Sequence, residues 1–336
     1  MQAVKCKLKD AEKIKRYLLE NKVYNKEYKP KKSKEYLFFP LINNISLKKF
    51  SEAQIVETIL EKVEPRNYKE YLFEKISKNR ALPSSYDIVG DIIIIDINEQ
   101  NKKYEKEIAN ALLKSHKNIK TVLKKVSNHG GEFRTQKLGF IAGQNKKETT
   151  HTESGVRMKL DVEKTYFSTR LGTERKRIAS QIKRKEKILV MFSGIGVYPL
   201  VISKNTNAEE ITGIEKNPIA HKYAEENLKL NKTNNIKLYN GDVRKIVPKL
   251  AEKFDRIIMP LPKEASGFLD VAVQCWKKGT IVNLYGFSHQ NSLDETEKQV
   301  LDFCKKNKIR VEIIKTVVCG QYSPRKYRVC VDFKIK

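Results

Sequence analysis

The chain is poor in the residues that would tie it together covalently or hold it in a bilayer. Its 336 residues include five cysteines, Cys6, Cys275, Cys304, Cys319 and Cys330, scattered and with no CxxC pair. An odd, dispersed set speaks against a disulfide framework and against a zinc site, and fits a reducing cytoplasm. No apolar run approaches the length of about 18 residues that marks a membrane helix. Met1 to Asp10 lacks the apolar stretch of a secretory signal. A soluble, cytoplasmic protein is expected. Internal repeats and low-complexity tracts are absent, as are a metal-ligand cluster and a Ser-His-Asp set. Acidic residues are scarce: 40 Asp plus Glu stand against 68 Lys plus Arg, a formal charge of +28 with a pI near 9.7. A lysine-rich proteome could decorate any surface this way. A polyanionic partner accounts for it better, because such an excess raises phosphate affinity and makes binding salt-dependent.

What the sequence does contain is organised around Lys187-Ile-Leu-Val-Met-Phe-Ser-Gly-Ile-Gly-Val-Tyr-Pro-Leu200. A buried strand, Ile188 to Phe192, runs into a turn at Ser193, Gly194, Ile195 and Gly196 and then into a helix. Glycines at a strand end let the backbone approach a ligand, and the helix start offers free N–H donors. About 20 residues on, where an open α/β sheet places an acid on a ribose hydroxyl, the apolar strand from Glu210 ends in Glu215. A dinucleotide fingerprint would need a third glycine where Pro199 stands. S-adenosylmethionine needs only the turn, the ribose acid and a polar residue for the adenine. Asp242, after the third strand and followed by Val243, is placed for that last role. It is equally placed to cap the helix that starts at Val243, and one residue can do both.

Periodicity divides the chain into three parts. Residues 1–65 read as a small α/β unit, with a helix from Lys9 to Asn21, a strand from Glu35 to Pro40 and a second helix from Leu47 to Val63. The basic stretch Asn25 to Lys34 is either a solvated linker or a phosphate-touching loop. Residues 66–165 begin with a Tyr-rich connecting helix, Tyr68 to Ile76, and continue as an α/β RNA-binding domain. Its strongest feature is one strand over Ser85 to Asp96 with four successive isoleucines. Residues 166–336 alternate strand and helix and close with two runs, Val311 to Val318 and Tyr327 to Ile335, too close in sequence to pair other than antiparallel. The expected fold is α/β: a class I, Rossmann-like methyltransferase sheet, mostly parallel and ending in an antiparallel hairpin, behind two smaller α/β RNA-binding domains.

Four motifs make the likeness specific: Tyr166-Phe-Ser-Thr-Arg-Leu-Gly-Thr-Glu-Arg175, Met191-Phe-Ser-Gly-Ile-Gly196, Ile214-Glu-Lys-Asn-Pro218 and Met259-Pro-Leu-Pro262. Together they resemble the archaeal and eukaryotic tRNA guanine-37 methyltransferase family, over the chain from Ser85 to its end. The resemblance implies methyl transfer from S-adenosylmethionine to nitrogen-1 of the guanosine beside the anticodon, with tRNA as partner. Nothing in the sequence suggests an obligate protein partner, and a monomer is the default expectation. It implies Glu174 as the base for the nitrogen-1 proton and Arg134, of Gly-Glu-Phe-Arg, as the group facing the neighbouring oxygen. Tyr166 and Arg175 would position the nucleotide and the donor loop, and Pro260 and Pro262 would line the base pocket. Phe192, Ser193, Gly194, Gly196, Glu215, Asn217, Asp242 and Val243, with Tyr166 and Arg175, would hold the donor. Read without the resemblance, Glu174 and Arg175 are a solvated helix start with an acid in the first turn. The target base would be flipped into its pocket.

One position departs from the pattern. Related enzymes present Asn-Pro-Pro-Tyr or Asn-Leu-Pro after the fourth strand, the Asn accepting from the nitrogen to be methylated. Here Pro260 stands in its place. With Glu215 where the single-function branch tends to carry Asp, this resembles an archaeal branch that also methylates carbon-7 of the wyosine precursor. A guanine exocyclic-amine methyltransferase would need the Asn-Pro-Pro-Tyr loop. A carbon-5 pyrimidine enzyme would need a cysteine near Met259. A tRNA-binding protein with an inactive methyltransferase domain is the non-enzymatic alternative.

Overall fold

The computed structural model describes residues 1–63, 67–72, 81–261 and 265–336. Its contacts divide the chain into two compact units, Met1–Ile76 and Ser77–Lys336. In the first unit β1 (Gln2–Lys7) is followed by α1 (Ala11–Glu20), β2 (Lys31–Lys32), β3 (Tyr36–Pro40), β4 (Gln54–Glu57) and α2 (Tyr68–Leu72). The sheet order is β2-β3-β1-β4, with β1 antiparallel to both β3 and β4. Ile14 and Leu18 of α1 pack on Val4, Cys6, Phe39 and Leu41. The helix expected over Leu47 to Val63 does not form. Gln54–Glu57 instead pairs with Gln2 to Lys5. The β-branched pair Ile55-Val56 suits a strand, and the free edge of β1 supplies backbone partners that a helix would not need. Ile59, within the span expected to be helical, is 89% exposed.

The second unit opens with β5 (Tyr86–Val89), β6 (Ile92–Ile95), α3 (Glu105–Ser115), β7 (Thr121–Lys125) and β8 (Leu138–Gly143), which form a sheet in that strand order. The single strand expected over Ser85 to Asp96 is a hairpin. Gly90, at φ 56°, turns the chain so that Tyr86 faces Ile95 and Val89 faces Ile92. The four isoleucines are buried. The run Gly130 to Arg134 is a turn between β7 and β8, closed by Arg134 N–H donating to the Gly131 carbonyl at 3.2 Å. A separate hairpin, β9 (Glu148–Glu153) with β10 (Val156–Asp161), follows.

The remaining elements are α4 (Gly172–Gln181), β11 (Lys187–Met191), α5 (Val197–Asn205), β12 (Glu210–Glu215), α6 (Pro218–Asn231), β13 (Ile236–Asn240), α7 (Val243–Leu250), β14 (Phe254–Met259), α8 (Leu269–Ala272), β15 (Trp276–His289), α9 (Glu295–Lys306), β16 (Val311–Ser323) and β17 (Lys326–Ile335). They build a seven-stranded sheet in the order β13-β12-β11-β14-β15-β17-β16, parallel except for β17, which runs antiparallel to both neighbours. Burial on both faces explains the unbroken apolar strands. Leu189, Met191, Ile257, Met259 and Leu284 enter one core, whereas Ile188, Val190, Ile258 and Tyr285 enter the other. The order reverses between β11 and β14, which opens a crevice at their carboxyl ends. Hydrophobic residues of β5 to β10, among them Val89, Leu123 and Val156, share a core with Ile195, Val197 and Leu200. Among the described residues no helix is long and apolar enough to cross a membrane.

Charged residues cross this apolar interior in a connected chain. Fully buried Arg256 donates to Glu186 at 2.8 Å and to Asn283 at 3.1 Å; Asn283 donates to Asp332 at 2.7 Å, and Asp332 pairs with Arg177. Removing one partner of a buried pair leaves the other charge stranded. Arg256→Met should therefore destabilise the protein by about 3–5 kcal/mol. Denaturant unfolding checks this, and a loss below about 1 kcal/mol would mean that the pair is dispensable.

Candidate active site

The crevice is a cavity of about 520 Å³ whose wall includes the loop 129–134, Tyr166, Phe192, Gly194, Glu215 to Asn217, Gly241 to Val243, Pro260, Leu261 and Phe268. It is built around a left-handed turn. Phe192 sits at φ 62°, Gly194 at 59° and Gly196 at 83°. For phenylalanine that backbone is strained, and strain of this kind persists where the surroundings fix it. Here the Phe192 ring meets the Phe268 ring edge-on at 5.0 Å. A Cβ at Gly196 would come within 3.3 Å of Ala224, so this glycine serves close approach of α6. Pro199 falls in the first turn of α5, where a missing N–H costs nothing.

The acid at the end of β12 is held by backbone. Glu215 accepts from Gly194 N–H at 2.8 Å and from Asn217 N–H at 2.7 Å, one on each oxygen. Each oxygen keeps a lone pair for a hydroxyl donor. Burial pushes its carboxyl above the usual range, against the pull of these amides. A ligand diol donating to Glu215 requires the ionised form. Affinity for an adenosine ligand should then fall as pH drops through this raised pKa, beginning at a higher pH than an exposed glutamate would give. Calorimetric titration across pH checks this. Glu215→Gln should bind more weakly with a flat profile, and parallel profiles would remove Glu215 from the ligand contact.

Asn217 caps α6 by accepting from Ile219 N–H at 3.0 Å and anchors itself on the Lys164 carbonyl at 2.9 Å. Asp242 caps α7, accepting from Arg244 N–H at 2.9 Å, and its other oxygen takes Lys216 Nζ at 2.7 Å. That ammonium holds the Asp242 carboxyl below its usual range. Lys216 also reaches Glu132 at 2.6 Å, so one side chain ties the 129–134 loop to the loop after β13. The Arg134 guanidinium lies 4.8 Å from the centre of the Tyr166 ring, and His129 meets the same ring edge-on at 5.2 Å. His129 Nδ1 is 2.9 Å from the Arg134 carbonyl, which can only accept, so Nδ1 carries the proton and Nε2 is an acceptor. Burial lowers the pKa of this imidazole.

Residues 149–313 match the TRM5/TYW2 methyltransferase domain, 68–146 the TYW2 N-terminal domain and 3–48 the tRNA methyltransferase 5 N-terminal domain. The tRNA (guanine(37)-N(1))-methyltransferase Trm5b of Pyrococcus abyssi is 39% identical, over 99% of this chain and 98% of its own. The chain belongs to the Trm5/TYW2 methyltransferase family. A second relative, the tRNA (guanine(37)-N(1))/4-demethylwyosine(37)-methyltransferase Taw22 of Nanoarchaeum equitans, is 32% identical over 74% of this chain and 98% of its own. Among solved structures, the complex of aTrm5 with tRNALeu superposes with a TM-score of 0.82 at 32% identity, covering 100% of both chains. The Methanocaldococcus jannaschii TYW2 complex with AdoMet does so with a TM-score of 0.59 at 25% identity, covering 75% of this chain and 99% of that one.

Within this Trm5/TYW2 fold the cavity gathers Arg134, Tyr166, Phe192, Gly194, Glu215, Asn217, Asp242, Val243 and Pro260. Four further residues expected at the site do not line this cavity in the structure as it stands. Ser193 is buried with its hydroxyl unpartnered, and Gly196 lies under α6. Arg175 forms a two-pronged pair with Glu153, at 2.7 and 2.5 Å, and donates to the Ser168 carbonyl; it braces the Tyr166 loop from behind. Glu174 is 5% exposed, clasped by Arg177 at 2.7 Å on each oxygen and by the Tyr285 hydroxyl at 2.6 Å. Pro262 lies outside the described residues. Sequence reasoning passed over His129, Lys216, Phe268, Phe287, Tyr322 and Lys326, all on the wall. His129 and Lys216 each adjoin a motif that was read. The others come from separate strands and helices, and only the fold brings them together.

Proposed function

We propose that the chain transfers a methyl group from S-adenosylmethionine to nitrogen-1 of guanosine 37 in tRNA, and also to carbon-7 of 4-demethylwyosine at that position. The observation that carries this is the meeting, on one cavity, of an adenosine half with an oxyanion half. Glu215, with Gly194 behind it, suits a ribose diol. Val243 offers an apolar face to an adenine and Asp242 an acceptor for its amino group. Arg134 and Tyr166 line the other side. When bound, the donor supplies an electrophilic sulfonium methyl. The chain's own residues must take the nitrogen-1 proton and stabilise charge gathering on the neighbouring oxygen. Arg134, held over Tyr166, is the group for that oxygen.

Glu174 is the proton acceptor in this reading, and it must first change partners. Arg177 bridges Glu174 and Asp332, and Asp332 keeps Asn283 and Gln181 as further donors. Releasing Glu174 therefore leaves Arg177 paired, so no buried charge is orphaned by the exchange. A second reading assigns the proton to His129, which lines the cavity and keeps Nε2 as its acceptor.

The wyosine-precursor activity rests on Pro260, which lines the cavity without an acceptor side chain, and on the name of the Taw22 relative. Carbon-7 attack needs room and later proton loss, not an amide acceptor. The test gives the protein donor with two tRNAs, one unmodified and one carrying the demethylated tricycle. Methyl transfer to both is expected, and transfer to the first alone would remove the second activity.

A further inference from the structure

We propose that the surface where β15, β17 and β16 adjoin the cavity is a subsite for the nucleotide next to the methylated base in a single-stranded RNA loop. The proposal rests on the tRNA reading above. Phe287 of β15 and Tyr322 of β16 form a ring pair with centroids 4.3 Å apart and planes 38° apart. Both line the cavity, yet Tyr322 is 49% exposed. A half-exposed aromatic pair at the edge of a base pocket offers a face on which any neighbouring base can stack.

Two cations frame the pair. Lys326 Nζ lies 5.3 Å, and Arg328 Cζ 5.8 Å, from the centre of the Phe287 ring. Arg328 is the more informative. It is 8% exposed, yet among the described residues no carboxylate pairs with it. One terminal nitrogen donates to the Tyr166 hydroxyl at 3.3 Å, and its Nε has no partner. A buried guanidinium without an anion is costly, and a ligand phosphate would relieve that cost. On β17 Arg328 lies between Phe287 and Gly320 in register, and cross-strand neighbours share a face of the sheet. Gly320, at φ 128°, has nothing within 4 Å of where a Cβ would stand, so the neighbouring strand sets no side chain beside Arg328. Base stacking and backbone charge are thus met at one place, and the Tyr166 hydroxyl links it to the Arg134 side of the cavity.

The test uses the full chain and anticodon stem-loop RNAs carrying 2-aminopurine on one side or the other of the target base. Tyr322→Ala should abolish the fluorescence change at one flanking position and weaken RNA binding by about tenfold, with S-adenosylmethionine affinity intact as the check on folding. Tyr322→Phe should restore both. Arg328→Gln should lower the slope of log affinity against log salt by about 0.7. Unchanged signals and affinity in Tyr322→Ala, with RNA still bound, would overturn the subsite alone. Equal competition by polyglutamate and by RNA would reduce it to a plain charged surface and overturn it as well. Failure of the unaltered chain to bind the stem-loop would overturn the tRNA reading and the subsite together.

Discussion

Glu174→Gln should lower guanosine methylation by about 10²–10⁴-fold while leaving tRNA and S-adenosylmethionine affinity nearly unchanged. Glutamine keeps the shape and can still accept from Tyr285 and Arg177, but it cannot take a proton. Glu174 lies at the end of a chain of three carboxylates and two guanidiniums: Glu186, Arg256, Asp332, Arg177 and Glu174. One negative charge is in surplus, and Glu174 is the carboxylate whose departure leaves the others paired. Burial works against ionised Asp332, yet Arg177, Asn283 and Gln181 hold its carboxyl below the usual range, so it stays a partner for Arg177 when Glu174 leaves. Single-turnover rates of the variant and of His129→Gln separate the two acceptors. A large loss in His129→Gln, with disappearance of the acidic limb of the pH profile, would move the proton to His129. Equal losses of rate and of tRNA affinity in Glu174→Gln would make Glu174 a structural residue.

The second large effect is expected at Arg134. If Arg134 is the group for the developing oxyanion, as proposed, Arg134→Gln removes that positive charge and should slow transfer by about 10²–10³-fold, mostly in kcat. The backbone there is already committed: Arg134 stands at φ 52°, and its carbonyl takes the His129 imidazole. The turn thus aims the guanidinium at the Tyr166 ring before any ligand arrives, and preorganised charge of this kind costs no rearrangement during reaction. A loss confined to KM would show that Arg134 only binds RNA.

Much of the methyltransferase segment was legible because its strands are buried on both faces and its turns carry their own chemistry. Glu215 and Asp242 stand at the strand ends where sequence spacing alone puts them, and Asp242 caps its helix as read; the cap at Asn217 was not read from the sequence. Errors arose where local pattern and tertiary pairing disagree. Ile55, Ile59 and Leu60 have helical spacing, but the open edge of β1 drew Gln54–Glu57 into the sheet. The isoleucine run hid a hairpin because Gly90 turns the chain within an unbroken apolar stretch. For the motif Gly-Thr-Glu-Arg the sequence leaves open which way each side chain faces on the helix. Arg175 turns to Glu153, and Glu174 turns into the interior toward Tyr285, which lies 111 residues away. Tyr322, Lys326 and Arg328 belong to the closing hairpin, whose role in the cavity depends on strand order and not on any local signal.

The most direct measurement is the identity of the methylated nucleoside. Unmodified tRNA carrying guanosine 37, incubated with the protein and labelled S-adenosylmethionine and then digested to nucleosides, should yield 1-methylguanosine from that position. A tRNA with adenosine there should take up none. Label appearing as 2-methylguanosine, or no incorporation by a protein that binds both ligands, would contradict the account.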